Sequence, residues 1–290
     1  MITKRERLRK RLKHLRNSLL RRPGSAVPVL IFGEQRSGTN MLLRCFGRCP
    51  STAMYNETDE DAFVDYELRC LDEVRRLIAR SPATHVVLKP TADGNRADQI
   101  ADALPGSRVV WIYRDYRDAV SSALALFRET SLVYLANVVD ESPAARWRAI
   151  NITADDIASI RRHLQRGLSE ESARALIWAL RNDFFFRRGM HRRSDVLLLG
   201  YEELVRDPVA IVRRAYDFVG LPFNEEYTHK VFSTSIGRRA SPEIDPEIDA
   251  ICAAVLGRLD ECRLGQQAGR LESRPRKDGS GAYVSGSGLP

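Results

Sequence analysis

The sequence is poor in the residues that staple or wire small proteins together. Its 290 residues hold five cysteines (Cys45, Cys49, Cys70, Cys252, Cys262), an odd number with no C-x-x-C pair. That usage argues against a disulfide framework and a zinc ribbon, and it fits a reducing compartment. Five histidines (His14, His85, His163, His191, His229) form no H-E-x-x-H or paired spacing, so no metal site is expected. No run approaches 18 apolar residues and residues 1–22 lack an apolar signal core, so neither a membrane span nor a secretory signal is expected. Ser121-Ser122 lacks the G-x-S-x-G elbow of a serine hydrolase. What remains is 43% hydrophobic and 29% charged residues, enough for one domain to bury a core without staples.

The net charge of +8 first suggests a nucleic-acid or anionic partner. Residues 1–22, however, carry ten basic side chains and one acid, Glu6, which leaves the other 268 residues at −1. The basic excess belongs to an appendage and not to the body, so no nucleic-acid partner is expected. In that appendage Leu8, Leu12, Leu15 and Leu19 recur at steps of four, three and four, predicting an amphipathic helix over 1–24. Such a helix can lie on an anionic membrane surface or associate with a second copy. The protein is expected in the cytoplasm, with peripheral contact to the inner membrane open to it.

Pro23 and Gly24 end this helix, and Val27–Phe32 reads as a fully apolar strand of a parallel sheet. A helix follows from Met41 to Phe46, and further short strands are predicted at Val86–Leu88, Val109–Tyr113 and Val196–Leu199. Strands alternating with helices imply an α/β fold, a three-layer sandwich around a parallel sheet. Residues 128–190 read as largely helical, with an aromatic cluster at Phe184–Phe186 assigned to core. The basic stretch that follows, to Arg193, is a helix end favourable to the helix dipole. Asp207-Pro208 predicts a helix start and Gly220-Leu221-Pro222 its stop. Residues 25–272 form the expected domain, and the Gly/Ser-rich 273–290 a disordered tail.

The loop Gly33-Glu34-Gln35-Arg36-Ser37-Gly38-Thr39-Asn40 follows a buried strand and opens a helix, where backbone N–H groups cradle phosphate. Against the nucleotide-hydrolase pattern G-x4-G-K-[ST], Thr39 replaces the lysine and Asn40 the magnesium-binding hydroxyl. The loop therefore suits an anion that needs no metal; an ordinary turn capped by Ser37 or Thr39 is the bland alternative. A second strand delivers Arg114 to the same sheet edge, with Ser122 two turns into the next helix, a pair able to clamp a second phosphate. The alternative there is a surface ion-pair cluster of Arg114, Asp115, Arg117 and Asp118.

These two elements, with Gly200-Tyr-Glu-Glu-Leu, resemble the sulfotransferases that use 3′-phosphoadenosine 5′-phosphosulfate (PAPS), particularly bacterial and Golgi glycan-type members. The resemblance implies that Arg36, Ser37, Gly38, Thr39 and Asn40 hold the 5′-phosphosulfate, that Arg114 and Ser122 hold the 3′-phosphate, and that Tyr201 lies near the adenine. Arg238 and Arg239 stand where many members carry a further phosphate clamp. A K-T-H-like segment with a catalytic histidine is missing, since Leu88-Lys89-Pro90-Thr91 occupies its place. Glycan-type members instead use a Glu after the first helix and a Lys after the second strand, which Glu57 and Lys89 match. The resemblance thus implies Glu57 as general base, with Lys89 and Arg36 stabilising charge on the transferring group. It implies release of adenosine 3′,5′-bisphosphate, no metal, and a hydroxyl or amine acceptor on a glycan, lipid or small molecule. Trp147, Trp178 and Asn182 are candidate acceptor-pocket liners, with ordinary core the better reading of each taken singly. A kinase-like phosphotransferase and a non-catalytic anion- or membrane-binding protein are the competing readings.

Overall fold

The computed structural model describes residues 12, 13, 15, 17, 26–127, 130–142, 149–229, 231 and 240–272. In chain order its strands are β1 (Val27–Phe32), β2 (Thr52–Tyr55), β3 (Phe63–Val64), β4 (Glu67–Leu68), β5 (His85–Leu88), β6 (Arg108–Tyr113) and β7 (Val196–Gly200). Five of them form a parallel sheet in the order β2-β5-β1-β6-β7, while β3 and β4 pair as a separate antiparallel hairpin. The helices are α1 (Thr39–Arg48), α2 (Leu71–Arg80), α3 (Ala97–Ala103), α4 (Tyr116–Phe127), α5 (Ser131–Val139), α6 (Ala154–Gln165), α7 (Glu170–Arg187), α8 (Tyr201–Arg206), α9 (Pro208–Val219) and α10 (Pro246–Glu272).

Successive residues of a strand face opposite sides of the sheet, and here both sides are covered. Leu30, Phe32, Trp111 and Leu198 pack into one core with residues of α3, α4, α7 and α10. Val29, Ile31, Ile112 and Leu199 pack into a second core against α1 and α9. Fully burying side chains of this size stabilises the fold by about 1.5–3 kcal/mol each. This is the expected three-layer α/β sandwich. The chain leaves β1 toward β2 on one side and leaves β6 toward β7 on the other, with α1 and α4 in opposite layers. The crevice beyond the carboxyl ends of β1 and β6 is therefore a topological switch point, where open α/β sheets bind ligands.

The predicted start and stop of α9 are as read: the Asp207 side chain accepts from Ala210 N at 3.0 Å, Pro208 opens the helix, and Gly220 ends it at φ 76°. Residues 128–190 contain α5, α6 and α7, and Phe184 and Phe185 are core. Two elements are additions to the sequence reading. Strand β2 carries only Thr-Ala-Met-Tyr and is fixed by pairing with β5 and by Thr52 Oγ1 donating to Phe46 O at 2.7 Å. The β3–β4 hairpin turns at Asp65 and Tyr66 with φ of 51° and 69°, without the Asn-Gly or Gly signal such a turn normally uses.

Of the predicted N-terminal helix, residues 12, 13, 15 and 17 are described and are helical. Lys13 Nζ donates to the carbonyls of Gly47 and Cys49, and Asn17 Nδ2 to Pro50 O at 3.2 Å. Leu12 and Leu15 stand exposed. This helix thus sits at the C-terminal end of α1, about 15 Å from the loop that opens it. Arg238, Arg239, Trp147 and the tail 273–290 lie outside the described residues. Among the described residues no helix is long and apolar enough to cross a membrane.

Candidate active site

The Gly33–Gly38 loop is shaped by what its glycines allow. A Cβ on Gly33 would come within 2.1 Å of Ile112 O, and one on Gly38, at φ 94°, within 2.5 Å of the Tyr201 ring. Arg36 itself holds φ 69°, a left-handed conformation that costs a non-glycine residue about 1–3 kcal/mol. Gly38 O accepts from Met41 N and Leu42 N to begin α1, and no side chain caps the helix. The alternative of an ordinary turn capped by Ser37 or Thr39 is therefore not what forms. Ser37 is fully buried, and its Oγ has no hydrogen-bond partner among the described residues. A buried hydroxyl left unsatisfied in a glycine cradle at a helix N-terminus fits a loop built to take an anion.

Arg114 leaves the end of β6 and turns into this cradle. It is buried, with Nη1 donating to Arg36 O at 3.4 Å, Nη2 to Asp118 Oδ2 at 3.1 Å, and its guanidinium 4.4 Å above the Tyr201 ring. Arg36 Nε donates to Ser122 Oγ at 3.1 Å. Glu202 Oε1 accepts from Asp115 N at 3.1 Å, fixing the turn that aims Arg114. Burial pushes the Glu202 carboxyl above the usual range. Arg36, Gly38, Arg114, Ser122 and Tyr201 are thus neighbours in one site. Arg114 is no surface ion-pair residue, unlike Arg117, which lies exposed against Asp249 at 2.7 Å.

Glu57 and Lys89 come from the two strands on the other side of β1. Tyr55 stands opposite Leu88 in the parallel register, so residues just beyond each strand end emerge side by side. Lys89 N donates to Tyr55 O at 3.1 Å, and Lys89 Nζ forms an ion pair with Glu57 Oε2 and donates to Thr91 Oγ1 at 3.2 Å. Asn56 and Asp59 hold the Glu57 turn, with Asn56 N donating to Asp59 Oδ2 at 2.9 Å. Burial pulls the Lys89 ammonium below the usual lysine range, and Glu57 opposes that pull.

Glu34 is the residue that the sequence reading passed over. Nearly inaccessible, it pairs with Arg174 at 2.7 Å and with Arg181, both from α7. Arg181 Nη2 also donates to Thr91 O at 2.5 Å, so the Gly33–Gly38 loop, α7 and the Lys89 turn form one network. The available signal was chemical: an acid inside an anion-binding loop repels its ligand unless cations neutralise it. The paired Glu34 borders a cleft of about 320 Å³ that Glu57, Tyr66, Phe127 and Tyr134 also line. From α7 the cleft takes Arg174, Ile177 and Arg181. Trp178 and Asn182 follow the core reading and not the cleft one: Trp178 lies against Tyr116, and Asn182 donates to Trp178 O at 3.0 Å. Positions 174, 177 and 181 share one helix face, and 178 and 182 lie on the next. Among the described residues no cluster of three or more His, Cys, Asp or Glu is placed to hold a metal.

The model of the sulfotransferase family matches residues 71–225. That segment carries Lys89, Arg114, Ser122 and Tyr201, while the Gly33–Gly38 loop and Glu57 precede it. Comparison with curated proteins finds no match. Among solved structures, the chain is similar to a sulfotransferase from Alicyclobacillus acidocaldarius, at 21% identity over 83% of this chain and 96% of that one, TM-score 0.46. It is also similar to sulfotransferase STF9 from Mycobacterium avium (14% identity, 85% and 79% covered, TM-score 0.47). A mouse sulfotransferase complexed with PAP is a third (15% identity, 74% and 68% covered, TM-score 0.39). With the family model matching more than half of its length, this chain belongs to the sulfotransferase family.

Proposed function

We propose that this sulfotransferase takes PAPS as donor and transfers its sulfuryl group to a hydroxyl or amine of an acceptor held in the Glu57 cleft. The observation that carries this reading is the pair of buried Lys89 and half-buried Glu57 beside a cradle whose Ser37 hydroxyl is unsatisfied. PAPS supplies an activated sulfuryl group, and its phosphate leaves as adenosine 3′,5′-bisphosphate. Arg36, Ser37, Gly38, Thr39 and Asn40 would hold the phosphosulfate end, Arg114 and Ser122 the 3′-phosphate, and Tyr201 would flank the base.

Glu57 accepts the proton of the attacking hydroxyl or amine, as a general base at the wall of the cleft. Lys89 places a cation between base and cradle, where negative charge grows during transfer, and Thr91 fixes its position. Arg36 adds a second cation from inside the loop. Titration calorimetry of the full chain with adenosine 3′,5′-bisphosphate, PAPS and ATP–Mg²⁺ tests the donor assignment. The 3′-phosphorylated ligands should bind more tightly; preference for ATP–Mg²⁺ would overturn it in favour of a phosphotransferase.

A further inference from the structure

From the cleft and its mouth we infer that the acceptor is an uncharged amphiphile, an alcohol whose polar head enters beside Glu57 and whose apolar chain lies across an exposed apolar rim. The inference rests on the proposed function, since it assigns the cleft to the acceptor. Each charged side chain of the cleft already has a partner within the protein. Glu34 is shared between Arg174 and Arg181, and Glu57 is paired with Lys89, so a charged head group would have to displace a buried partner. Gln35, Thr130 and the Tyr134 ring supply the polar and aromatic lining that suits a neutral hydroxylated head. At about 320 Å³ the cleft is at the small end of ligand sites, room for a head group and not for a whole large acceptor.

The rim points to the rest of the acceptor. Nine large apolar side chains stand exposed among the described residues, and two of them, Tyr66 and Phe127, line this cleft. They come from two elements distant in sequence: the β3–β4 hairpin and the last turn of α4. Convergence of exposed apolar groups from separate elements at the mouth of a polar cleft is the pattern of a surface that meets an apolar ligand. The exposed Leu12 and Leu15 lie at the far end of α1 and take no part in it.

The test is calorimetric binding of methyl, butyl and octyl β-glucosides to the full chain without nucleotide, with octyl glucuronide as the anionic contrast. Affinity should rise at least about tenfold from methyl to octyl, given roughly fourfold per fully buried methylene, and octyl glucoside should bind more tightly than the glucuronide. In Tyr66→Ser/Phe127→Ser the gain with chain length should shrink, while affinity for adenosine 3′,5′-bisphosphate stays that of wild type and certifies the fold. A second arm uses phosphatidylcholine vesicles with and without dodecyl glucoside. Binding to the soluble glucosides identifies a dispersed amphiphile; capture by glucoside-bearing vesicles alone identifies one presented in a bilayer. Affinity independent of chain length with no vesicle capture, or preference for the glucuronide, overturns the inference. Absence of adenosine 3′,5′-bisphosphate binding by wild type would instead fault the donor assignment, which the glucoside series does not measure.

Discussion

Lys89 and Glu57, 32 positions apart in sequence, form a part-buried ion pair because the strands that carry them end side by side. Each lies one or two residues past the Tyr55–Leu88 register pair, so the sheet itself sets their separation. If Glu57 is the general base, Glu57→Gln should lower turnover about 10²–10⁴-fold while binding adenosine 3′,5′-bisphosphate nearly as wild type does. Labelled PAPS turnover and calorimetry measure the two effects separately. Retention of most wild-type turnover would reject the role.

Arg114 and Arg117 are three residues apart and should behave as opposites. Arg114 is buried over Tyr201 at the cradle, whereas Arg117 is an exposed partner of Asp249. Arg114→Ala should weaken adenosine 3′,5′-bisphosphate binding by about tenfold to a hundredfold, the scale of a charge-assisted contact. Arg117→Ala should change that affinity less than about threefold, because an exposed pair contributes little. Equal losses in the two variants would remove Arg114 from the 3′-phosphate site.

The sheet and the positions of Arg36 and Arg114 were legible because each sits at the end of an apolar strand run or beside a glycine that the turn requires, whereas Glu57 and Lys89 were singled out by the family resemblance. Strand β2 was not legible, since four residues without β-branched runs leave no periodic signal and acquire their conformation from β5. The cleft wall was less legible for a related reason. Trp178 and Asn182 were named as candidates for it beside the favoured core reading, but which face of α7 meets the cleft is decided by packing against Tyr116 and the sheet. Arg174 and Arg181 reveal their role only once Glu34 is placed between them.

Glu34 should prove to be a stability residue as well as a wall of the cleft. Removing it leaves Arg174 and Arg181 largely buried without their shared carboxylate, a loss on the order of 3–5 kcal/mol. Glu34→Ala should therefore lower the midpoint of thermal unfolding by roughly 10 °C. Glu34→Gln, which keeps the hydrogen-bond acceptor, should recover part of the loss. A midpoint within a degree of wild type in the alanine variant would mean that the two arginines find other partners.

Asp156 supplies a pH-dependent contribution away from the site. Its carboxylate accepts from Thr153 N at 2.9 Å, closing the capping box of α6, and from Arg187 at 2.5 and 2.9 Å. Burial alone would raise its pKa, but the hydrogen bonds from Arg187 and Thr153 prevail and hold it below the ordinary 3.8. A depressed folded pKa means that the unfolded chain takes up the proton first. The stabilisation is thus complete above pH 3.8 and is lost as pH falls through the lower folded value. Asp156→Ala should cost about 2–4 kcal/mol at pH 7, from one cap and one charge-assisted pair. Urea unfolding at pH 7, 5 and 3 should give the same deficit at the first two and a smaller one at the third. A deficit that grows on acidification would contradict the sign.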